Sequence, residues 1–125
     1  MNLLNEPVPS LTALLSAAAR GAHLLVDGPN ALLDDVDARA LCALFEPSPL
    51  AFHLGHPDAP VLAAARASAV IRSRFATDVI AAHEVEQIVL LGAGLDSSIQ
   101  ADGVAQRWLV DRPDVLGWRS NLFDQ

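Results

Sequence analysis

The chain has 125 residues, 52% of them hydrophobic, with a mean hydropathy of +0.33, a formal charge of -7 and an isoelectric point near 4.7. That length and apolar content suit one globular domain able to bury a core, and they exclude a disordered chain. Eight Lys and Arg, scattered among fifteen Asp and Glu, exclude a nucleic-acid surface, which needs clustered cations, so a small uncharged or cationic ligand fits better.

There is no basic leader with an apolar segment and cleavage site, and no apolar run of membrane-spanning length. No membrane contact is expected, and the cytoplasm is the default location. Ser10-Leu11-Thr12 precedes an alanine- and leucine-rich segment through Leu25. Its Leu11, Leu14, Leu15, Ala18 and Ala22 recur at helical spacing, which predicts an amphipathic helix with Ser10 as N-cap. Asp27-Gly28-Pro29-Asn30 is a turn. Asp34-Asp35 start a second helix with acids in its favourable first turn, ending near Phe45 before Pro47 and Pro49. Capping accounts for these carboxylates better than a paired acid/base site, because consecutive helical side chains diverge. The single cysteine, Cys42, excludes an internal disulfide and a multi-cysteine metal site, and its apolar flanks Leu41 and Ala43-Leu44 predict a packed core thiol.

From Ser48 to Pro60 the chain reads as a loop. Within it, His53-Leu54-Gly55-His56-Pro57-Asp58 superficially resembles metal-ligand spacing, but it lacks the i, i+4 helical scaffold that would aim these groups at one ion, so no metal is expected. Asp58 and Pro60 are placed to cap and begin a long helix, Val61 to about His83. Arg72 shares a face of it with Phe75 and Val79, at the margin of an apolar stripe. Arg74 lies on a different face, and one of the two arginines is placed to pair with Asp78 across a turn.

Glu86-Gln87-Ile88-Val89-Leu90-Leu91-Gly92-Ala93-Gly94-Leu95-Asp96-Ser97 is the stretch around which the rest is organised. Ile88 to Leu91 lacks apolar/polar alternation and predicts a parallel strand covered on both faces. Gly92 and Gly94 then allow a tight turn and a close approach of backbone to ligand. Ser97 to about Val104 reads as a short helix or turn, interrupted by Asp102-Gly103. Trp108-Leu109-Val110-Asp111 predicts a second strand closed by a carboxylate about twenty residues after the first glycine, which is where an acid can hydrogen-bond a ribose. Pro113 begins a last helix with Val115, Leu116, Trp118 and Leu122 on its apolar face. Strands alternating with helices predict a parallel α/β unit.

Three readings compete for Gly92-Ala93-Gly94. A P-loop requires a terminal Gly-Lys-Ser/Thr, which is absent. A dinucleotide turn calls for a third glycine where Ser97 stands. The third is the S-adenosylmethionine site of Rossmann-like methyltransferases, a glycine-rich turn after one strand with an acid after the next.

Arg72-Ser73-Arg74-Phe75 with Asp78, the run Ile88 to Ser97, and Val110-Asp111-Arg112-Pro113-Asp114-Val115-Leu116 resemble the leucine carboxyl methyltransferase family, more narrowly its bacterial O-methyltransferase branch. Thr12-Ala13-Leu14 through Arg20, followed by His23-Leu24-Leu25, resembles that branch's leading helix, so the likeness covers almost the whole chain. It implies a Rossmann-like class I fold that uses S-adenosylmethionine. By the same resemblance Arg72 holds the cofactor's methionyl carboxylate, Gly92, Ala93 and Gly94 line it, and Asp111 takes the ribose hydroxyls. A guanidinium fork matches a carboxylate, and a carboxylate accepts from two vicinal hydroxyls. The chain departs from the family's pattern at Leu109, where an acid is usual, and at Ser98-Ile99-Gln100, where an arginine usually follows.

The expectation is therefore the first half of a class I methyltransferase fold, α/β, with a helical cap over 1–58 and a long helix plus the first two parallel strands over 59–125. The implied reaction is O-methyl transfer to a small-molecule hydroxyl or carboxylate, and no residue pattern identifies a catalytic base. The other reading is a non-catalytic binding module that pairs with another chain. A free strand edge predicts self-association or a complementary carboxyl-terminal chain.

Overall fold

The structure, a computed structural model, describes residues 9–99 and 106–123. Helix α1 (Leu11–Asp27) begins as expected: the Ser10 hydroxyl accepts from the Ala13 amide at 3.3 Å, satisfying one of the first-turn donors. Its inner face is made of small residues, Ala17, Ala18 and Ala22, which let α2 (Val36–Cys42) approach closely. The approach is tightest at Gly21, where a Cβ would lie 2.9 Å from the Arg39 backbone nitrogen. Helix α2 starts one residue later than the acid pair suggests, because Asp35 is its N-cap and accepts from the Ala38 amide at 3.0 Å. It ends at Cys42, and a turn carries the chain to Phe45.

Residues 48–60 are not all loop. Leu50–Gly55 form a short helix, α3, opened by Ser48, whose carbonyl and hydroxyl accept from the Ala51 and Leu50 amides. So short a helix has little intrinsic stability, so tertiary packing decides it: Leu50 packs against the core and His53 is buried. The long helix α4 spans Pro60–Ala82 with Pro60 at its first position, but its N-cap is Ala59, which makes no side-chain cap bond. Asp58 is exposed and does not cap.

Strands β1 (Gln87–Leu91) and β2 (Gln106–Val110) form a parallel two-stranded sheet with Val89 opposite Trp108 and Leu91 opposite Val110. The part of the expected Ser97–Val104 segment that falls on 100–105 lies outside the described residues. Helix α5 (Pro113–Phe123) follows, and its Trp118 joins Leu14, Ala17, Ala18, Ala38, Leu41, Cys42 and Leu95 in one buried cluster, with Phe45 stacked on Trp118 at 6.1 Å between ring centroids. Cys42 is a packed core thiol, and burial pushes it up to about 11.

The expectation that β1 is covered on both faces is corrected. Alternation along each strand places Gln87, Val89 and Leu91 on the same face as Gln106, Trp108 and Val110, and all six are exposed, Leu91 at 79% and Trp108 at 54%. Only the opposite face, with Leu90 buried and Ile88 and Leu109 half-buried, turns toward the helices. No described element covers the apolar open face. Among the described residues the architecture is thus five helices and two parallel strands, a mixed helix and parallel-strand arrangement, and no described helix is long and apolar enough to cross a membrane.

Candidate functional site

Parallel register puts the carboxyl ends of β1 and β2 side by side, so the glycine turn and Asp111 are neighbours in space. The Gly92 and Ala93 amides both donate to the Val110 carbonyl, at 2.8 and 3.2 Å, which bends the chain sharply out of β1. Gly92 and Gly94 have φ of 65° and 46°, the left-handed region that glycine enters without a Cβ penalty. The Gly94 amide then donates to Asp111 Oδ2 at 2.8 Å, and the Arg112 amide to Oδ1 at 2.7 Å. These two donors, Gly94 first, hold the Asp111 carboxyl below its ordinary range. A carboxylate oxygen accepts more than one hydrogen bond, so each Asp111 oxygen keeps capacity for a ligand hydroxyl.

A cleft of about 670 Å³ opens above this turn, walled by α1, α4 and the start of α5. Arg72, Gly92, Ala93, Gly94 and Asp111 all line it, although the rest of α4 and both strands separate the first from the last along the chain. Arg72 is exposed and no described residue pairs with it. The other cleft arginines are engaged: Arg20 with Asp35, and Arg112 with Asp114. The described lining holds three carboxylates, Asp96, Asp111 and Asp114, and contains no histidine, cysteine or lysine.

Several residues that shape this site carry no sequence motif. Arg20, on the cleft wall of α1, donates through Nε to Asp35 Oδ2 at 2.9 Å and through Nη2 to the Leu95 carbonyl at 2.8 Å. Ser97 donates to Asp35 Oδ1 at 2.7 Å, so one buried carboxylate ties α1, the α2 cap and the segment after the glycine turn together. The available signal was a lone arginine inside the run Ala17-Ala18-Ala19-Arg20-Gly21-Ala22. Asp96 accepts from the Ser98 hydroxyl and amide, closing the turn on itself. A free Ser73 hydroxyl proton can reach Ser98 Oγ at 2.9 Å, linking α4 to the same turn.

The histidine segment serves packing. Arg66 grips Asp27 with Nε and Nη2, at 2.9 and 3.0 Å, and reaches the Pro57 carbonyl and His53 Nδ1. This guanidinium holds the Asp27 carboxyl below its usual range, and burial lowers His53. His23 accepts from the Leu32 amide at Nε2, leaving Nδ1 as the donor to Asp27. His56 and Asp58 are exposed and take no part. On α4, Arg74 is the arginine that pairs with Asp78, at 2.8 Å, an exposed contact worth a few tenths of a kcal/mol.

A family model described as leucine carboxyl methyltransferase matches residues 13–124. No curated protein matches the chain.

Proposed function

The chain belongs to the leucine carboxyl methyltransferase family, a family of methyltransferases, and from that premise we propose that its cleft binds S-adenosylmethionine for methyl transfer to a hydroxyl or carboxylate oxygen. The observation that carries this reading is the placement of an Arg72 guanidinium, unpaired among the described residues, and a hydrogen-bonding Asp111 carboxylate in one cleft with the glycine turn. The donor set fits the cofactor. Arg72 offers its fork to the methionyl carboxylate. Asp111, fixed by two backbone amides, has acceptor capacity left for two vicinal ribose hydroxyls. Gly92 has open space where a Cβ would stand, and a Cβ at Gly94 would meet only the Gly92 carbonyl at 3.8 Å, so a ligand can lie directly on the turn.

When bound, S-adenosylmethionine supplies an electrophilic methyl group on a sulfonium. The chain's part would be to hold the cofactor's two polar ends, the methionyl carboxylate at Arg72 and the ribose at Asp111, and so fix its orientation. We take the arrangement of the strands and α4 as the first half of a Rossmann-like class I fold. Among the described residues the two-stranded sheet has free edges and an open face of Val89, Leu91, Trp108 and Val110, which supports a second reading, a module that completes itself by pairing with another polypeptide strand.

The test is calorimetric titration with S-adenosylhomocysteine. Asp111→Ala and Arg72→Ala should each weaken binding by about 1 to 3 kcal/mol, the cost of leaving a ligand polar group unpaired. Measurable binding by the parent chain that neither substitution changes would overturn the assignment. A methyl-transfer assay alongside light scattering separates the two readings: turnover by a monomer excludes the pairing module.

A further inference from the structure

Gly94 is held from both sides by residues at or beyond the end of β2. Its amide donates to Asp111 Oδ2 at 2.8 Å, and its carbonyl accepts from Arg119 Nη1 at 3.1 Å. Arg119 is buried on α5, and its guanidinium lies 4.8 Å from the centroid of the Phe123 ring one turn further on, a cation–π contact that limits where the fork can point. Arg119 does not line the cleft, whereas Gly94 and Leu95 do. In a trans peptide the carbonyl and the following N–H point in opposite directions. Drawing the Gly94 carbonyl toward Arg119 therefore turns the Leu95 N–H away from α5. No described residue accepts from that N–H, although Leu95 is only 3% exposed. A buried backbone donor without an acceptor is costly and is normally satisfied. Its own peptide unit is further polarised by the cation on the carbonyl side.

We propose that Arg119 is a positioning residue of the glycine turn, clamping the Gly94 carbonyl so that the Leu95 N–H is offered to an oxygen acceptor of the ligand bound in the cleft. The ligand part of this inference rests on the cofactor reading above, and the clamp part does not. Asp111 and Arg119 then act as a pair: one fixes the amide and the other the carbonyl of the same glycine, and the turn keeps its shape before any ligand arrives. Preorganisation of this kind raises affinity by removing an ordering cost from the binding step.

Amide exchange and ligand titration on the isotopically labelled chain test both parts. In Arg119→Met the Gly94 amide should exchange about tenfold faster, the effect of losing one backbone hydrogen-bond anchor. The Asp111 carboxyl should titrate closer to its ordinary range, while amides of α1 and α2 exchange as in the parent. Arg119→Lys, which keeps one donor in reach, should restore most of both signals. Should Arg119→Met fail to fold, Arg119→Gln provides the same comparison. Unchanged Gly94 exchange and unchanged Asp111 titration in a folded variant overturn the clamp. With S-adenosylhomocysteine added, the Leu95 amide resonance of the parent should move downfield. Movement of other cleft amides with Leu95 unmoved overturns the donor role. If no cleft amide responds, the cofactor reading fails and the donor role with it, while Gly94 exchange still decides the clamp.

Discussion

Asp35 is where the cost of a single substitution can be worked most directly. Its side chain is fully buried, and its carboxylate accepts from Arg20 Nε, Ser97 Oγ and the Ala38 amide. Asp35→Ala removes both acceptor oxygens and with them all three hydrogen bonds. It leaves the Arg20 guanidinium buried without a counter-charge, and breaking a buried pair from one side costs about 3 to 5 kcal/mol. The lost α2 cap would by itself cost about 1 kcal/mol. The two effects share one carboxylate and overlap, so we expect about 3 to 5 kcal/mol in total, a large part of the 5 to 15 kcal/mol typical of a whole domain. Asp35→Asn retains a cap acceptor and loses the charge, so it should fall between Asp35→Ala and the parent. In Arg20→Met with Asp35→Leu both charges go, and the double variant should be less destabilised than the sum of Arg20→Met and Asp35→Leu made singly. Urea unfolding midpoints measure all of these. A loss under about 1 kcal/mol in Asp35→Ala, or strict additivity in the double variant, would refute the view that this carboxylate holds the cleft wall together.

At Gly21, an added methyl would meet the Arg39 backbone at 2.9 Å, and backbone cannot step aside cheaply. Gly21→Ala should therefore destabilise by about 1 to 3 kcal/mol, against the roughly 1 kcal/mol gain that alanine brings to an open helix site, and a raised thermal midpoint would contradict this. Gly94→Val forces a β-branched residue to a φ of 46°, so ligand affinity should fall with a stability loss of about 1 to 2 kcal/mol. Helical circular dichroism lost in parallel with binding would mark Gly94 as structural instead. Acid should act in two stages. Burial depresses His53 below its ordinary 6.5, and Arg66 depresses Asp27 below 3.8. For a depressed group the unfolded chain binds the proton more readily, so stability is present above the ordinary value and drains as pH falls below it. Unfolding midpoints should decline from about pH 6.5 downward and again below about pH 4. Loss of the first decline in His53→Gln checks the assignment, and midpoints level between pH 7.5 and 5.5 in the parent would contradict it.

What the amino-acid sequence determined by itself was local. The 3.6-residue recurrence of Leu11, Leu14, Ala18 and Ala22 with Ser10 ahead of it marks α1 to within two residues of its end. Pro60 and the alanine-rich filler mark α4, and an unbroken apolar run ending in Gly92-Ala93-Gly94 marks the strand and turn. Asp111 was legible for the same reason, because its distance along the chain from the glycines places it at the next strand's end. Signals of this kind depend on neighbours a few residues away, whose geometry the backbone sets almost alone.

The tertiary structure decided which distant groups meet. Asp35 read as a capping acid, and it does cap α2, but its second oxygen meets Arg20 and its first also takes Ser97, 62 positions away. His53 read as a loop residue and is instead an acceptor for Arg66, inside a helix too short to announce itself. Ile88 to Leu91 has the composition of a strand buried on both faces, yet coverage is a property of what packs there, and one face stands open among the described residues. Arg119 carries no motif because a carbonyl clamp needs only a donor at the right place in space. Composition and period report the solvent a segment prefers, whereas a hydrogen bond requires two groups within about 3 Å, and only the folded chain brings them there.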